Sequence, residues 1–79
     1  MSLFLTVARV SESVFDGEAQ SVTLPGTAGE FTVLRGHEPF VTTLKEGTIT
    51  IRAKDFEDKK IHITNGLVEV TPERTVVLI

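Results

Sequence analysis

The sequence predicts an all-β domain, a sandwich or a barrel. Three observations carry that prediction. Short runs alternate apolar and polar residues at period 2, and turn residues interrupt them about every 8–12 positions. Nowhere does an apolar pattern at i, i+3, i+4, i+7 last for three helical turns. The 79 residues make one small domain, residues 1–79, with no low-complexity segment, repeat or interdomain linker. A chain of this size buries only about 60–65% of the surface its unfolded form exposes, so it has little stability to spare.

Taken in order, Leu3 to Val10 is a nearly continuous apolar run. Leu3, Leu5 and Val7 oppose Phe4, Ala8 and Val10, and a strand apolar on both faces is either covered twice or turns one face to a partner. Ser11-Glu12-Ser13 breaks the run, and Asp16-Gly17 is expected to turn the chain at once. Gln20 to Leu24 alternates and stops at Pro25-Gly26. Phe31 to Leu34 and Phe40 to Leu44 are two further strands, separated by the polar loop Arg35-Gly36-His37-Glu38-Pro39. Gly26, Gly29, Gly36, Pro39 and Gly47 set chain direction through this region, because glycine permits positive φ and proline fixes φ.

Glu46-Gly47 leads into the clearest strand, with Ile49, Ile51 and Ala53 on one face and Thr48, Thr50 and Arg52 on the other. Lys54 to Lys60 reads as a charged connector and hairpin tip. Ile61 and Ile63 then alternate with His62 and Thr64. Asn65-Gly66 is the strongest two-residue hairpin signal, since a type I′ turn takes positive φ at both positions. Leu67 to Val70, the turn Thr71 to Arg74, and an apolar strand from Thr75 to Ile79 complete the chain.

Composition excludes several functions. The formal net charge is −3 with no basic run, and there is no Trp or Tyr. A nucleic-acid surface would display a basic patch. No apolar stretch nears the ~20 residues of a membrane span. MSLFLTVARV lacks the basic start and the length of a signal peptide. These features predict a soluble cytoplasmic domain. With no cysteine, there is neither disulfide nor thiolate zinc site, and His37 and His62 have no metal-ligand spacing. Asp16, Glu18 and Glu30 at expected turns read as solvated carboxylates, not as an acid–base pair. Gly26-x-x-Gly29 lacks the Lys-Ser/Thr of a phosphate loop. No catalytic residue, cofactor or metal is predicted, which leaves loops and faces as the functional surface.

The run G-x-x-G-E-F-x-V-L-x-G-H-x-P-F from Gly26, leading into L-K-x-G-x-I-x-I, resembles the N-terminal domain of the epsilon subunit of F-type ATP synthases. The resemblance covers essentially the whole chain, from LFLTVARV through SVFDGEA to EVTPERTVVLI. It implies a flattened two-sheet sandwich of about ten short, mostly antiparallel strands. It also implies a non-catalytic rotor subunit of the central stalk, bound to the gamma subunit and to the c-ring, at the cytoplasmic face of the bacterial inner membrane. Its membrane association would be peripheral, through the complex. Glu30 matches the family's acidic residue placed against the c-ring loops. Gly36-His37 and Pro39 match its Pro-Gly-His-x-Pro loop, with Arg35 in place of the first proline. That replacement removes a stiffening ring and adds a cation near the docking surface. The family usually continues past the last strand into two C-terminal helices, so these 79 residues read as a naturally short or a truncated form. The competing class is an independent sandwich module binding a carbohydrate or peptide; the lack of Trp and Tyr counts against a sugar platform.

Overall fold

The computed structural model describes residues 3–36, 39–54 and 56–79. Nine strands follow one another: β1 (Leu3–Arg9), β2 (Glu12–Ala19), β3 (Ser21–Gly26), β4 (Gly29–Val33), β5 (Phe40–Leu44), β6 (Gly47–Ala53), β7 (Phe56–Ile63), β8 (Gly66–Val70) and β9 (Thr75–Leu78). The all-β expectation holds, with nine strands among the described residues against about ten expected. One hydrogen-bonded path, β2-β1-β9-β8-β5-β3-β6-β7, curls into two layers, with β4 paired to β3. Among the described residues every pair is antiparallel except β1 with β9.

The period-2 pattern explains the core. Leu3, Leu5 and Val7 of β1 point inward, as do Val22 and Leu24 of β3, Ile49 and Ile51 of β6, Val68 and Val70 of β8, and Val77 of β9, all buried. Burying a Val, Leu or Ile side chain is worth about 1.5–3 kcal/mol, so these facing rows dominate what holds the layers together. Phe4, half exposed at 51%, turns the second apolar face of β1 outward.

The layers join at two corners. On one side Gly26 pairs with Leu44, Lys45 N donates to the Pro25 carbonyl at 2.9 Å, and Thr27 N to the Thr43 carbonyl at 3.1 Å. On the other side Gln20 N donates to the Arg52 carbonyl at 2.7 Å.

Three local expectations are corrected. Asp16-Gly17 does not turn the chain but lies within β2, opposite Thr6 and Leu5. Asp16 is held there by a side-chain relay, in which Arg74 Nη1 donates to Thr6 Oγ1 at 3.2 Å and Thr6 Oγ1 donates to Asp16 Oδ1 at 3.0 Å. The charged stretch is strand for most of its length, since Phe56 to Lys60 form the first part of β7; the hairpin expected here is present, with Ala53 of β6 paired to Phe56. Asn65-Gly66 makes no hairpin, because β7 pairs with β6 while β8 pairs with β5 and β9. Asn65 does not have positive φ, and Gly66 is needed for another reason. A Cβ on Gly66 would lie 2.7 Å from the Leu78 carbonyl oxygen, closer than a side chain can pack.

The turn expected at Thr71 to Arg74 is present. Thr71 N donates to the Arg74 carbonyl at 2.9 Å, and Arg74 N donates back to Thr71 Oγ1 at 3.1 Å.

Candidate docking surface

Glu30 is exposed near the start of β4, one residue after Gly29, whose φ is 137°. It stands opposite Pro25 on β3. The hairpin carrying it turns through Thr27 and Ala28 and is tied to β5, where Thr27 and Thr43 hydroxyls meet at 3.1 Å. Glu30 therefore projects from a braced corner. Beside it runs an open cleft whose other charged walls are Lys45, Glu46 and Lys60. Glu46 also lies 3.6 Å from His62 Nε2, and both side chains are exposed. The arrangement is a solvated rim of mixed charge, suited to setting the orientation of a partner.

Arg35 and Gly36 are exposed in the turn after β4, and Gly36 takes φ 80°, a conformation that side chains with a Cβ rarely adopt. A strand rises about 3.3 Å per residue, so Arg35, five residues on, emerges up to about 16 Å along the chain from Glu30. Pro39 is exposed at the return of the loop. The rings of Phe31 and Phe40, the residues that follow Glu30 and Pro39, meet edge to face at 5.3 Å and 64°. Such a pair adds about 0.5–1.5 kcal/mol beyond its burial, and here it fixes β4 against β5 at the base of the loop. The structure thus brings Glu30 and Pro39 next to one aromatic clasp and sets Arg35 and Gly36 farther along. His37 lies outside the described residues.

Sequence reasoning missed Lys45, Glu46 and Lys60 as companions of Glu30. They come from β7 and the link between β5 and β6, and no local spacing joins them to β4. Among the described residues no three His, Asp or Glu side chains gather as a metal site would need. A second surface is apolar: Phe4, Val41, Leu67 and Leu78 are 51%, 61%, 39% and 51% exposed on the outer side of β1, β5, β8 and β9.

With this geometry in hand, residues 2–79 match the family described as ATP synthase, Delta/Epsilon chain, beta-sandwich domain. The chain belongs to that family. It is 39% identical over 77 residues to the ATP synthase epsilon chain of Bordetella petrii, covering 98% of this chain and 55% of that one. The corresponding chain of Bordetella parapertussis is 38% identical with the same coverage. This chain therefore spans about half the length of those relatives. Among solved structures, a chain of the Euglena gracilis mitochondrial ATP synthase, OSCP/F1/c-ring in rotational state 1, superposes with a TM-score of 0.90 at 23% identity. That match covers 98% of this chain and 49% of the other. A chain of the Tetrahymena thermophila mitochondrial ATP synthase central stalk and c-ring gives 0.80 at 13% identity, covering 99% and 63%. At those identities the likeness is one of fold, and it reaches across both layers of the family's sandwich.

Proposed function

We propose that this chain is a non-catalytic rotor subunit in the central stalk of a bacterial F-type ATP synthase. In this reading it docks the gamma subunit onto the membrane c-ring and couples proton or sodium flow to ATP synthesis. It sits at the cytoplasmic face of the inner membrane and touches the membrane only through the complex. The observation that carries the reading is the family match over residues 2–79. Two surface features support it. The apolar outer side of β1, β9, β8 and β5 suits a lasting contact with gamma. The charged rim around Glu30, with exposed Arg35, Gly36 and Pro39, suits polar c-ring loops.

A rotor part has to pass torque between two partners without deforming. Ladders of backbone hydrogen bonds, each worth about 1 kcal/mol net, give that stiffness when they act together. No reaction is asked of the chain.

The test is reconstitution into a synthase stripped of its own epsilon chain. Restored ATP-driven ion pumping, with gamma and c-ring retained on a tagged copy of this chain, is the expected result. A chain that recovers neither partner and restores no pumping would leave the family membership standing and remove the rotor role.

A further inference from the structure

Strand pairing sets Ala8, Leu78, Leu67 and Thr43 in one row on the outer side of β1, β9, β8 and β5, and Thr6, Val76, Glu69 and Val41 in the next. Of these residues Glu69 alone is charged. It stands in the middle of β8, an inner strand with β9 on one side and β5 on the other, and so is not at a sheet edge. Its direct cross-strand neighbours are Val76 and Val41. Leu67, two positions back, lies on the same side of the strand. Leu78 and Thr43, the partners of Leu67, sit on the diagonals of Glu69. The one carboxylate is therefore ringed mainly by Val and Leu.

Glu69 is exposed and, among the described residues, has neither a hydrogen bond nor an ion pair. The chain does not supply its cation. Arg74, which reaches this face from the turn before β9, donates instead to Thr6 Oγ1 at 3.2 Å. In water a free carboxylate on a sheet face costs nothing. Under a cover it loses its hydration, and only a closely placed cation or strong donor offsets that loss. An occupant that seals Leu78, Leu67 and Val41 seals Glu69 between them.

We propose that Glu69 is the charged anchor of this face, and that the gamma surface seated on it is an apolar patch carrying one Lys or Arg aimed at the Glu69 carboxylate. The inference rests on the reading of this face as the gamma contact and adds the chemistry of its occupant. The pair fixes register as well as affinity, since only one docking position brings cation and carboxylate together.

The test measures association and release of this chain on a synthase stripped of its own epsilon chain. Wild type is compared with Leu78→Glu, Glu69→Gln, Glu69→Leu and Glu69→Lys, each checked for folding by circular dichroism. Glu69→Gln is expected to bind about tenfold or more weakly, mainly through faster release, because it strands the partner's cation under the cover. Glu69→Leu should also weaken binding although it adds apolar surface, and Glu69→Lys should be weakest. Changing one Lys or Arg of gamma to Glu should then restore Glu69→Lys. Leu78→Glu reports on the face itself: if it binds as wild type does, the gamma reading of the face fails and the anchor with it. Weak Leu78→Glu beside an unaffected Glu69→Gln keeps the face and overturns the anchor. A Glu69→Leu that binds more tightly than wild type overturns it too, and leaves Glu69 only the task of keeping the free face soluble. If Glu69→Leu aggregates, Glu69→Gln and the restoration of Glu69→Lys decide; a Glu69→Lys that no charge reversal in gamma restores overturns the proposal.

Discussion

Across the layer β1-β9-β8-β5 the outward residues form two rows of neighbours, Ala8, Leu78, Leu67 and Thr43 in one and Thr6, Val76, Glu69 and Val41 in the other. Across the layer β4-β3-β6-β7 the matching row is Thr32, Thr23, Thr50 and Lys60, with a 2.9 Å contact between the Thr32 and Thr23 hydroxyls. The inward faces of the two layers are equally apolar, so the demand of the core does not distinguish them. On the proposed reading the outward faces differ because one is covered by gamma and the other meets water. Threonine satisfies a pleated, solvated strand by its β-branch and hydroxyl together. Exposed Leu and Val do nothing for a solvated face and are suited to one that is covered.

The sharpest check leaves the outer faces alone and strikes the interior they share. Ile51→Ala should cost about 2–5 kcal/mol, because the side chain is 1% exposed and its removal leaves a cavity between the layers. A large drop in the thermal melting midpoint is expected; a small one would mean the core collapses readily around the gap. Next comes the backbone contact under the apolar face. Gly66→Ala should destabilise by about 1–3 kcal/mol through its clash with the Leu78 carbonyl. Gly17→Ala, with open space around its Cβ, should move a urea midpoint by less than about 0.5 kcal/mol in equivalent terms.

The outer faces themselves separate in binding, not in melting. Leu78→Glu should weaken gamma association about tenfold or more, since a well-placed apolar interface residue is worth over 1 kcal/mol. Thr50→Glu, on the other layer, should leave that affinity unchanged in the same titration. Equal losses from both would erase the contrast between the faces. A milder outcome is expected at the rim, where Glu30→Ala should shift stability by at most about 0.5 kcal/mol while lowering coupled pumping in reconstituted vesicles. The smallest effect belongs to Arg52→Ala. Its ion pair with Asp58 is solvated, with side chains 68% and 45% exposed, and removing it should change the melt by less than about 0.5 kcal/mol.

How much of this was legible depended on where each strand sits. β6 could be read residue by residue, because Ile49 and Ile51 face a core while Thr48 and Thr50 face water. β7 could not, because an edge strand near its tip is solvated on both sides and Glu57 to Lys60 shows no alternation. Asp16-Gly17 carried a true turn preference that the Arg74–Thr6–Asp16 relay overrides, and that relay spans most of the chain. Asn65-Gly66 misled for a different reason. Hairpin chemistry is local, whereas β7 and β8 leave Asn65-Gly66 for different neighbours in the sheet, and the glycine answers to close packing with Leu78. Of the candidate surface, Glu30 and the glycine-flanked loop were named through the family's motif. Lys45, Glu46 and Lys60 were not, because they become neighbours of Glu30 only when the sheet curls.

The one parallel pairing among the described residues also bears on how the chain comes to be folded during synthesis. β9, the last of the nine strands in chain order, lies between β1, the first, and β8. Leu5 must wait for Thr75 to leave the ribosome before its neighbour exists. Until then β1 and β8 have no strand between them, and the emerging chain offers two open edges to whatever is near. Contacts so distant in sequence also make for slow closure, on the order of milliseconds to seconds in all-β domains. A chaperone that shields nascent strands would therefore matter most in the interval just before β9 appears.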